Sequence, residues 1–248
     1  QGSQVVGMGK EAFDAFAEAR EAFQEVDDVL QQKLSKIIFE GPIEDLTLTE
    51  NTQPALMATS VALFRVLMKQ GKLELPKLAQ LVAGHSLGEY SALCAAGALS
   101  LADTTRLLRI RGSAMQQAVP AGQGGMAAVL GVDFDVAAKL AAEAAGADVC
   151  QAANDNSPGQ VVISGSKAAI DRAVGLAANY GAKRVMPLPV SAPFHSALMQ
   201  PAAKVMEDAL AKVTMQQPQV PVVANVTAQA ENETQTLKSL LVKQVTGT

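Results

Sequence analysis

Between residues 124 and 188 the hydrophobic pattern alternates between strand-like and helix-like periods, and few folds accommodate the order in which it does so. "GGMAAVLGV" reads as a strand. "DFDVAAKLAAEAAG" reads as a helix with Asp133 at its N-cap. "DVCQAAN" and "QVVISG" read as two short strands joined by the strong turn signal "DNSPG". "SKAAIDRAVGLAANYG" is a second helix, opened by Ser166 and closed by Gly181, and "AKRVMPL" is a last strand. The order β-α-β-β-α-β is the split βαβ, or ferredoxin-like, pattern. It predicts a small α+β subdomain over residues 120–190.

On either side, strands alternate with helices. "EAFDAFAEAREAF" places Phe13, Phe16, Ala19 and Phe23 on one helical face. A second helix runs from Pro54 to Gly71, with Pro in its first turn and Gly past its end. "QLVAG", residues 80–84, is a short buried strand that passes into the helix "EYSALCAAGAL", and "LADTTRLLRIRGSAMQQAV" is a further helix. After residue 190 an extended Pro-rich approach leads to a helix starting near His195, then the strand "QVPVVANVT" and the helix "TLKSLLVKQV". Such alternation favours a parallel sheet. The expected architecture is therefore α/β: a discontinuous large domain, residues 1–119 and 191–248, interrupted by the subdomain at 120–190.

Composition narrows the function. With 49% hydrophobic residues, 248 residues can bury a core without disulfides. Aromatic residues are 4% and Trp is absent, which suits Ala-, Val- and Leu-rich helices on a buried sheet. Cys94 and Cys150 have no ligand spacing and read as two reduced thiols, so no metal site is expected. A net charge of −4 without a basic stripe argues against nucleic acid. No apolar run is long enough to span a membrane.

Gly84-His85-Ser86-Leu87-Gly88 fits G-x-S-x-G and lies where the strand meets the helix. A nucleophilic serine needs such a turn to project its hydroxyl over the strand end, with small neighbours two residues away on both sides. The following helix aims its N-terminal amides at the reacting oxygen, so the Leu87 N–H is a natural oxyanion donor. The alternative is a small residue filling a tight turn. A serine hydroxyl also needs a base. Only His85 and His195 are available. His85 precedes the serine on the turn and should point away from it, which favours His195. Arg106, Arg109 and Arg111 share a helix, and a solvated basic face explains the first two. Arg111 adjoins Gly112, where a side chain or ligand can approach closely, and its planar fork suits a carboxylate. Met126 reads either as a pocket wall or as strand core, and Asn154 as a pocket wall or a cap of the following turn.

"GHSLGEYSA", "NTQPAL", "RG" at 111–112, "NDNSPGQVVISG", "PLPVSAPFHSALM" and the opening "QGSQ" together resemble the malonyl-CoA:acyl carrier protein transacylases of bacterial fatty acid synthesis. The acyltransferase domains of polyketide synthases are similar. The resemblance runs along essentially the whole chain. It implies an α/β-hydrolase-like large domain with a ferredoxin-like insertion, Ser86 as nucleophile and His195 as base. It places Gln1 beside the Leu87 N–H in the oxyanion hole and makes Arg111 the partner of the malonyl carboxylate. It implies that a backbone carbonyl of Gln244 orients the histidine. Phe194 reads either as core packing or, by the resemblance, as the bulky aromatic that selects malonyl over methylmalonyl. The family pattern carries a strand ending in Pro-Gly before "QGSQ" and continues past Gln244. By that pattern the large domain is expected to lack its first strand and its C-terminal end.

The implied reaction is a ping-pong transfer from malonyl-CoA to acyl carrier protein through a malonyl-serine ester, by a cytoplasmic monomer with no metal or redox cofactor. Two rivals share the elbow. A serine hydrolase such as a thioesterase would have no use for Arg111. A non-catalytic carrier-protein-binding module would have no need of Ser86, His195 and Arg111 together.

Overall fold

The structure, a computed structural model, describes residues 2–120, 122–188, 190 and 192–247. The chain begins with six helices: α1 (Lys10–Ala15), α2 (Ala17–Leu30), α3 (Leu34–Glu40), α4 (Ile43–Thr47), α5 (Thr49–Gln70) and α6 (Leu75–Leu78). Strand β1 (Val82–Ala83) follows, then α7 (Leu87–Ala95) and α8 (Leu101–Gln117). Next come β2 (Gly124–Leu130), α9 (Phe134–Ala145), β3 (Cys150–Ser157), β4 (Gln160–Ser166), α10 (Lys167–Leu176) and β5 (Arg184–Pro187). The chain closes with α11 (Gln200–Ala211), β6 (Val222–Ala224), β7 (Gln229–Glu231) and α12 (Thr234–Gln244). It forms two compact units, Gln1–Ser113 with Met206–Leu241, and Ala114–Val205 with Val242–Thr248.

The first unit is mostly helical. The first expected helix is in fact two, because Phe16 is extended between α1 and α2. The reason is the aromatic cluster: Phe13 and Phe23 lie 6.0 Å apart, and each lies 5.0 Å from Phe39. Ten residues of straight helix would hold Phe13 and Phe23 about 15 Å apart, so the chain breaks at Phe16 and folds back. Helix α5 starts at Thr49, ahead of Pro54, which therefore removes a hydrogen bond from the second turn. Polar side chains hold this end instead: Asn51 Nδ2 donates to Asp45 O at 2.8 Å, and Thr52 Oγ1 to Leu46 O at 2.5 Å. The sheet of this unit has the order β1-β6-β7, with β1 parallel to β6 and β6 antiparallel to β7. It is mixed rather than parallel, because β7 returns as a short polar hairpin.

In the second unit four antiparallel strands take the order β3-β4-β2-β5. Helices α9 and α10 cover one face. Ala137, Leu140, Ala141 and Ala144 of α9, with Ala169, Ile170 and Ala173 of α10, are buried in one cluster with Val129, Val161 and Ile163. Alanine on both helices lets them sit close to the strands. Ser166 caps α10 by accepting from the Ala169 N–H at 3.3 Å. Asp133 occupies the N-cap of α9, yet its side chain makes no capping bond. Strand β3 runs on through Asn154 to Ser157, so the hairpin turn is only Pro158-Gly159. His195 sits on an irregular turn before a short 3₁₀ segment, Ala197–Met199, rather than on the helix expected there. The protein is thus a mixed α/β fold.

Candidate active site

Strand β1 delivers the chain into a turn of three residues before α7 begins. Ser86 has φ 55° and ψ −112°, a conformation that costs a residue with a Cβ roughly 1–3 kcal/mol. Gly84 is required: a Cβ there would stand 1.9 Å from Gly88 O and 2.7 Å from Glu89 N. Gly88 is not, since a Cβ would meet nothing within 4 Å among the described residues. The expectation of two sterically required glycines is therefore half right, because only Gly84 faces the start of α7. The Gly88 and Glu89 N–H groups turn back to His85 O at 2.9 Å and Ser86 O at 3.1 Å. The Leu87 N–H, first of the helix, has no partner among the described residues.

One side chain reaches across this turn that the sequence did not single out. Asn225, just past β6, accepts from the Ser86 N–H at 2.6 Å, and its Nδ2 donates to Gly84 O at 2.7 Å. Its own N–H donates to Glu89 Oε2 at 3.2 Å. "VVANV" carries no local signal for this role. The signal is the pairing of β1 with β6, which only the fold reveals.

Arg111 is 1% exposed. Its Nη1 donates to Gln53 Oε1 at 2.7 Å and its Nη2 to Ser86 Oγ at 3.1 Å. The guanidinium carbon lies 5.7 Å from the centre of the Tyr90 ring. Burial lowers the arginine's pKa and pushes the Tyr90 phenol up to about 12. Two expectations about this helix change. Arg109 is not part of a solvated face, because it donates to Asn51 Oδ1 at 2.9 Å and Gln32 Oε1 at 2.5 Å, tying α8 to α5 and to the α2–α3 connection. Gly112 makes room for the protein itself: a Cβ would stand 2.6 Å from Thr49 O, where α5 crosses. Arg106 is exposed and pairs with Asp103, as a solvated face requires. His85 lines a cleft of about 590 Å³ with Leu56, Val61 and Phe64, and burial lowers its pKa, with the charge of Arg111 adding to the effect.

In the second unit, His195 is 6% exposed and has φ 54°. Its Nδ1 lies 2.8 Å from Gln244 O and 3.1 Å from Gly247 O. Carbonyls only accept, so Nδ1 carries a proton, and in the neutral imidazole the lone pair is then on Nε2. Gln244 ends α12, where carbonyls lack intrahelical partners and the helix dipole is negative. The turn is braced by Ser196 Oγ donating to Pro193 O at 2.7 Å and the Ala197 N–H donating to Gln151 Oε1 at 2.7 Å. Phe194 is buried beside the histidine in sequence. Met126 is buried on β2 opposite Ser164, and its carbonyl accepts from the Leu188 N–H at 2.9 Å. Asn154 is half-buried on β3 opposite Val162, beside a register shift, so it belongs to the strand and not to the turn. Gln1 lies outside the described residues. Ser86, Leu87 and Arg111 are thus gathered in one unit, and His195 and Gln244 in the other.

Among the described residues no cluster of three metal-ligating side chains occurs, and no helix is long and apolar enough to cross a membrane.

A family model described as an acyl transferase domain matches residues 1–244. The malonyl CoA-acyl carrier protein transacylase of Salmonella typhimurium is 47% identical, over 99% of this chain and 78% of that protein. The crystal structure of an acyl-carrier-protein S-malonyltransferase from Bartonella henselae superposes with a TM-score of 0.96 at 57% identity, covering 100% of this chain and 78% of that one. A malonyl-transacylase in complex with its type II PKS acyl-carrier protein gives 0.95 at 42% identity, over 100% and 79%. The chain belongs to the acyl transferase family, among the malonyl CoA-acyl carrier protein transacylases.

Proposed function

We propose that the protein transfers a malonyl group from malonyl-CoA to the pantetheine thiol of acyl carrier protein, in fatty acid synthesis. The observation that carries this reading is Ser86, set in a strained turn with the buried guanidinium of Arg111 donating to its Oγ at 3.1 Å. A hydrolase of neutral acyl groups gains nothing from a buried cation there. A malonyl carboxylate does, because it loses its hydration on entering and needs a fixed positive partner.

Each step follows from what these groups can do. His195, neutral with its proton on Nδ1, takes the Ser86 hydroxyl proton at Nε2. Ser86 Oγ attacks the thioester carbonyl, and the Leu87 N–H and Gln1 hold the negative charge that forms on its oxygen. The C–S bond breaks, the imidazolium returns its proton to the CoA sulfur, and a malonyl-serine ester remains. The pantetheine thiol then gives its proton to His195 and attacks the ester, and Ser86 Oγ leaves and is reprotonated. Both imidazolium stages are favoured by the carbonyls that face Nδ1, Gln244 O first among them. Arg111 takes the malonyl carboxylate, Phe194 excludes an α-methyl group, and Met126 and Asn154 contribute to the pocket wall. No metal or redox cofactor enters any step, and the enzyme works in the cytoplasm as a monomer.

The same reading gives the large domain, residues 1–119 and 191–248, an α/β-hydrolase-like fold, and residues 120–190 a ferredoxin-like one. The strand order β3-β4-β2-β5, antiparallel throughout with two helices on one face, supports the second part. The parallel β1–β6 pair feeding the serine turn supports the first. The test of the function is to mix the protein with malonyl-CoA and holo acyl carrier protein and weigh the products. Malonyl-carrier protein should accumulate. Free malonate with unmodified carrier protein would assign the site to hydrolysis.

A further inference from the structure

We infer that Asn225 is a positioning residue of the reaction, whose side-chain amide staples the serine turn into its reactive shape. The inference rests on Ser86 being the nucleophile. Ser86 holds φ 55°, a backbone state that a residue with a Cβ leaves unless its surroundings over-determine it. Helix α7 does not supply that constraint alone. Its Gly88 and Glu89 N–H groups bond back to His85 O and Ser86 O, and no side-chain cap closes it. The peptide groups on the strand side of Ser86 are held from outside, by Asn225. One takes its hydrogen bond at Gly84 O, and the other gives one from the Ser86 N–H.

The geometry has a simple origin. Strand β1 pairs in parallel with β6, Val82 with Val222 and Ala83 with Val223. Continued by two residues, that ladder would set His85 beside Asn225. There the chain swings into the serine turn and the backbone ladder ends. The Asn225 carboxamide takes over: it is planar, with one acceptor and one donor side by side, as a neighbouring peptide would offer. Its backbone is held in turn by the fully buried Glu89 of α7. The staple therefore grips the turn before, at and after the nucleophile, although Ser86 and Asn225 are separated by 139 positions in the chain. It directs Ser86 Oγ, and it aims the adjacent Leu87 N–H at the oxyanion.

The chemistry dictates the test. Alanine removes both bonds to the turn. Aspartate keeps the shape and the acceptor for the Ser86 N–H, but its carboxylate turns an oxygen towards Gly84 O. Protonated aspartic acid regains a donor. The rate of malonyl-serine formation is measured in single turnover by quenched mass spectrometry for wild type, Asn225→Ala and Asn225→Asp, from acid to alkaline pH, with thermal melts alongside. Asn225→Ala should slow acylation about ten- to a hundred-fold, the effect of two lost hydrogen bonds, while the malonyl-CoA concentration for half-maximal rate moves little. For Asn225→Asp the ratio to wild type should be low at neutral pH and rise towards one as the pH falls. The charged and titrating groups around the turn, namely His85 on it, Glu89 and Tyr90 on α7 and Arg111 on α8, are common to all three proteins, so the ratio isolates residue 225. An unchanged rate in Asn225→Ala, or a ratio for Asn225→Asp that does not vary with pH, would overturn the inference. If Asn225→Ala does not fold, Asn225→Asp decides. If that also fails to fold at acid pH, Asn225 serves the fold and not the turn, and the inference falls. A wild type that forms no ester on Ser86 would instead remove the nucleophile reading itself, and the staple with it.

Discussion

Replacing Arg111 by alanine should convert a malonyl-selective enzyme into one that no longer distinguishes malonyl from acetyl. The guanidinium is buried and held in place by Gln53 at 2.7 Å, so it is a preorganised cation in a water-poor site. A hydrogen bond to a charged group contributes about 1.5–3 kcal/mol, and each ~1.4 kcal/mol is tenfold in rate. Loss of Arg111 should therefore lower malonyl kcat/KM about ten- to a hundred-fold or more. The contact between Arg111 and Ser86 Oγ is lost for every substrate, so it cancels in a ratio. Acetyl transfer has no carboxylate to lose and should fall little or rise. Arg111→Lys should recover only part of the loss, since an ammonium cannot reproduce the planar fork. The alanine variant also strips Gln53 Oε1 of a charged donor, which should lower Tm without touching the ratio. The assay is the ratio of malonyl to acetyl kcat/KM in wild type, Arg111→Ala and Arg111→Lys. An unchanged ratio in Arg111→Ala would show that the carboxylate is read elsewhere.

Three further sets of variants separate the parts of the site. His195→Ala should slow acylation by the ~10²–10⁴ of a lost general base, and His85→Ala by less; pre-steady-state acylation rates in the reverse order would assign the base to His85. Gly84→Ala should destabilise the fold by at least the roughly 1–3 kcal/mol of an overpacked core, because its Cβ would meet Gly88 O at 1.9 Å. Gly88→Ala should stay within about 1 kcal/mol of wild type, and equal urea midpoints for the two would contradict this steric account. The Tyr90 phenol is raised from 10.0 to about 12 by burial, so the folded state keeps a proton that the unfolded state releases. Stability should accordingly fall as pH rises from about 10 towards 12, by about 2–3 kcal/mol from this group. Tyr90→Phe should flatten that slope in urea melts, and a slope identical to wild type would refute the linkage.

The parts of this protein that show in its sequence are those whose causes are local. The serine turn shows because strand, glycine, serine and helix are contiguous. The βαββαβ order shows because each element carries its own period and punctuation, Ser166 being a working cap. What does not show depends on partners far along the chain. The break at Phe16 hides because Phe16 continues the helical stripe, and only packing of Phe13, Phe23 and Phe39 forces it. Arg109 and Arg111 look alike on one helix, yet one ties α5 to the α2–α3 connection and the other reaches Ser86. Gln244 meets His195 through a carbonyl, a group every residue owns, so no residue type announces it and only the family resemblance points to it. Asn225 is hidden for the same reason as the β1–β6 pair that brings it to the turn.

Passage of the malonyl group through Ser86 leaves an ester that can be weighed. The most direct measurement is intact mass spectrometry of the protein after malonyl-CoA, with peptide mapping, followed by addition of holo acyl carrier protein. A single malonyl group should appear on the Ser86 peptide, be absent from Ser86→Ala, persist in buffer, and move to the carrier protein thiol when that is added. A malonyl adduct that survives in Ser86→Ala, or one that never reaches the carrier protein, would contradict the account.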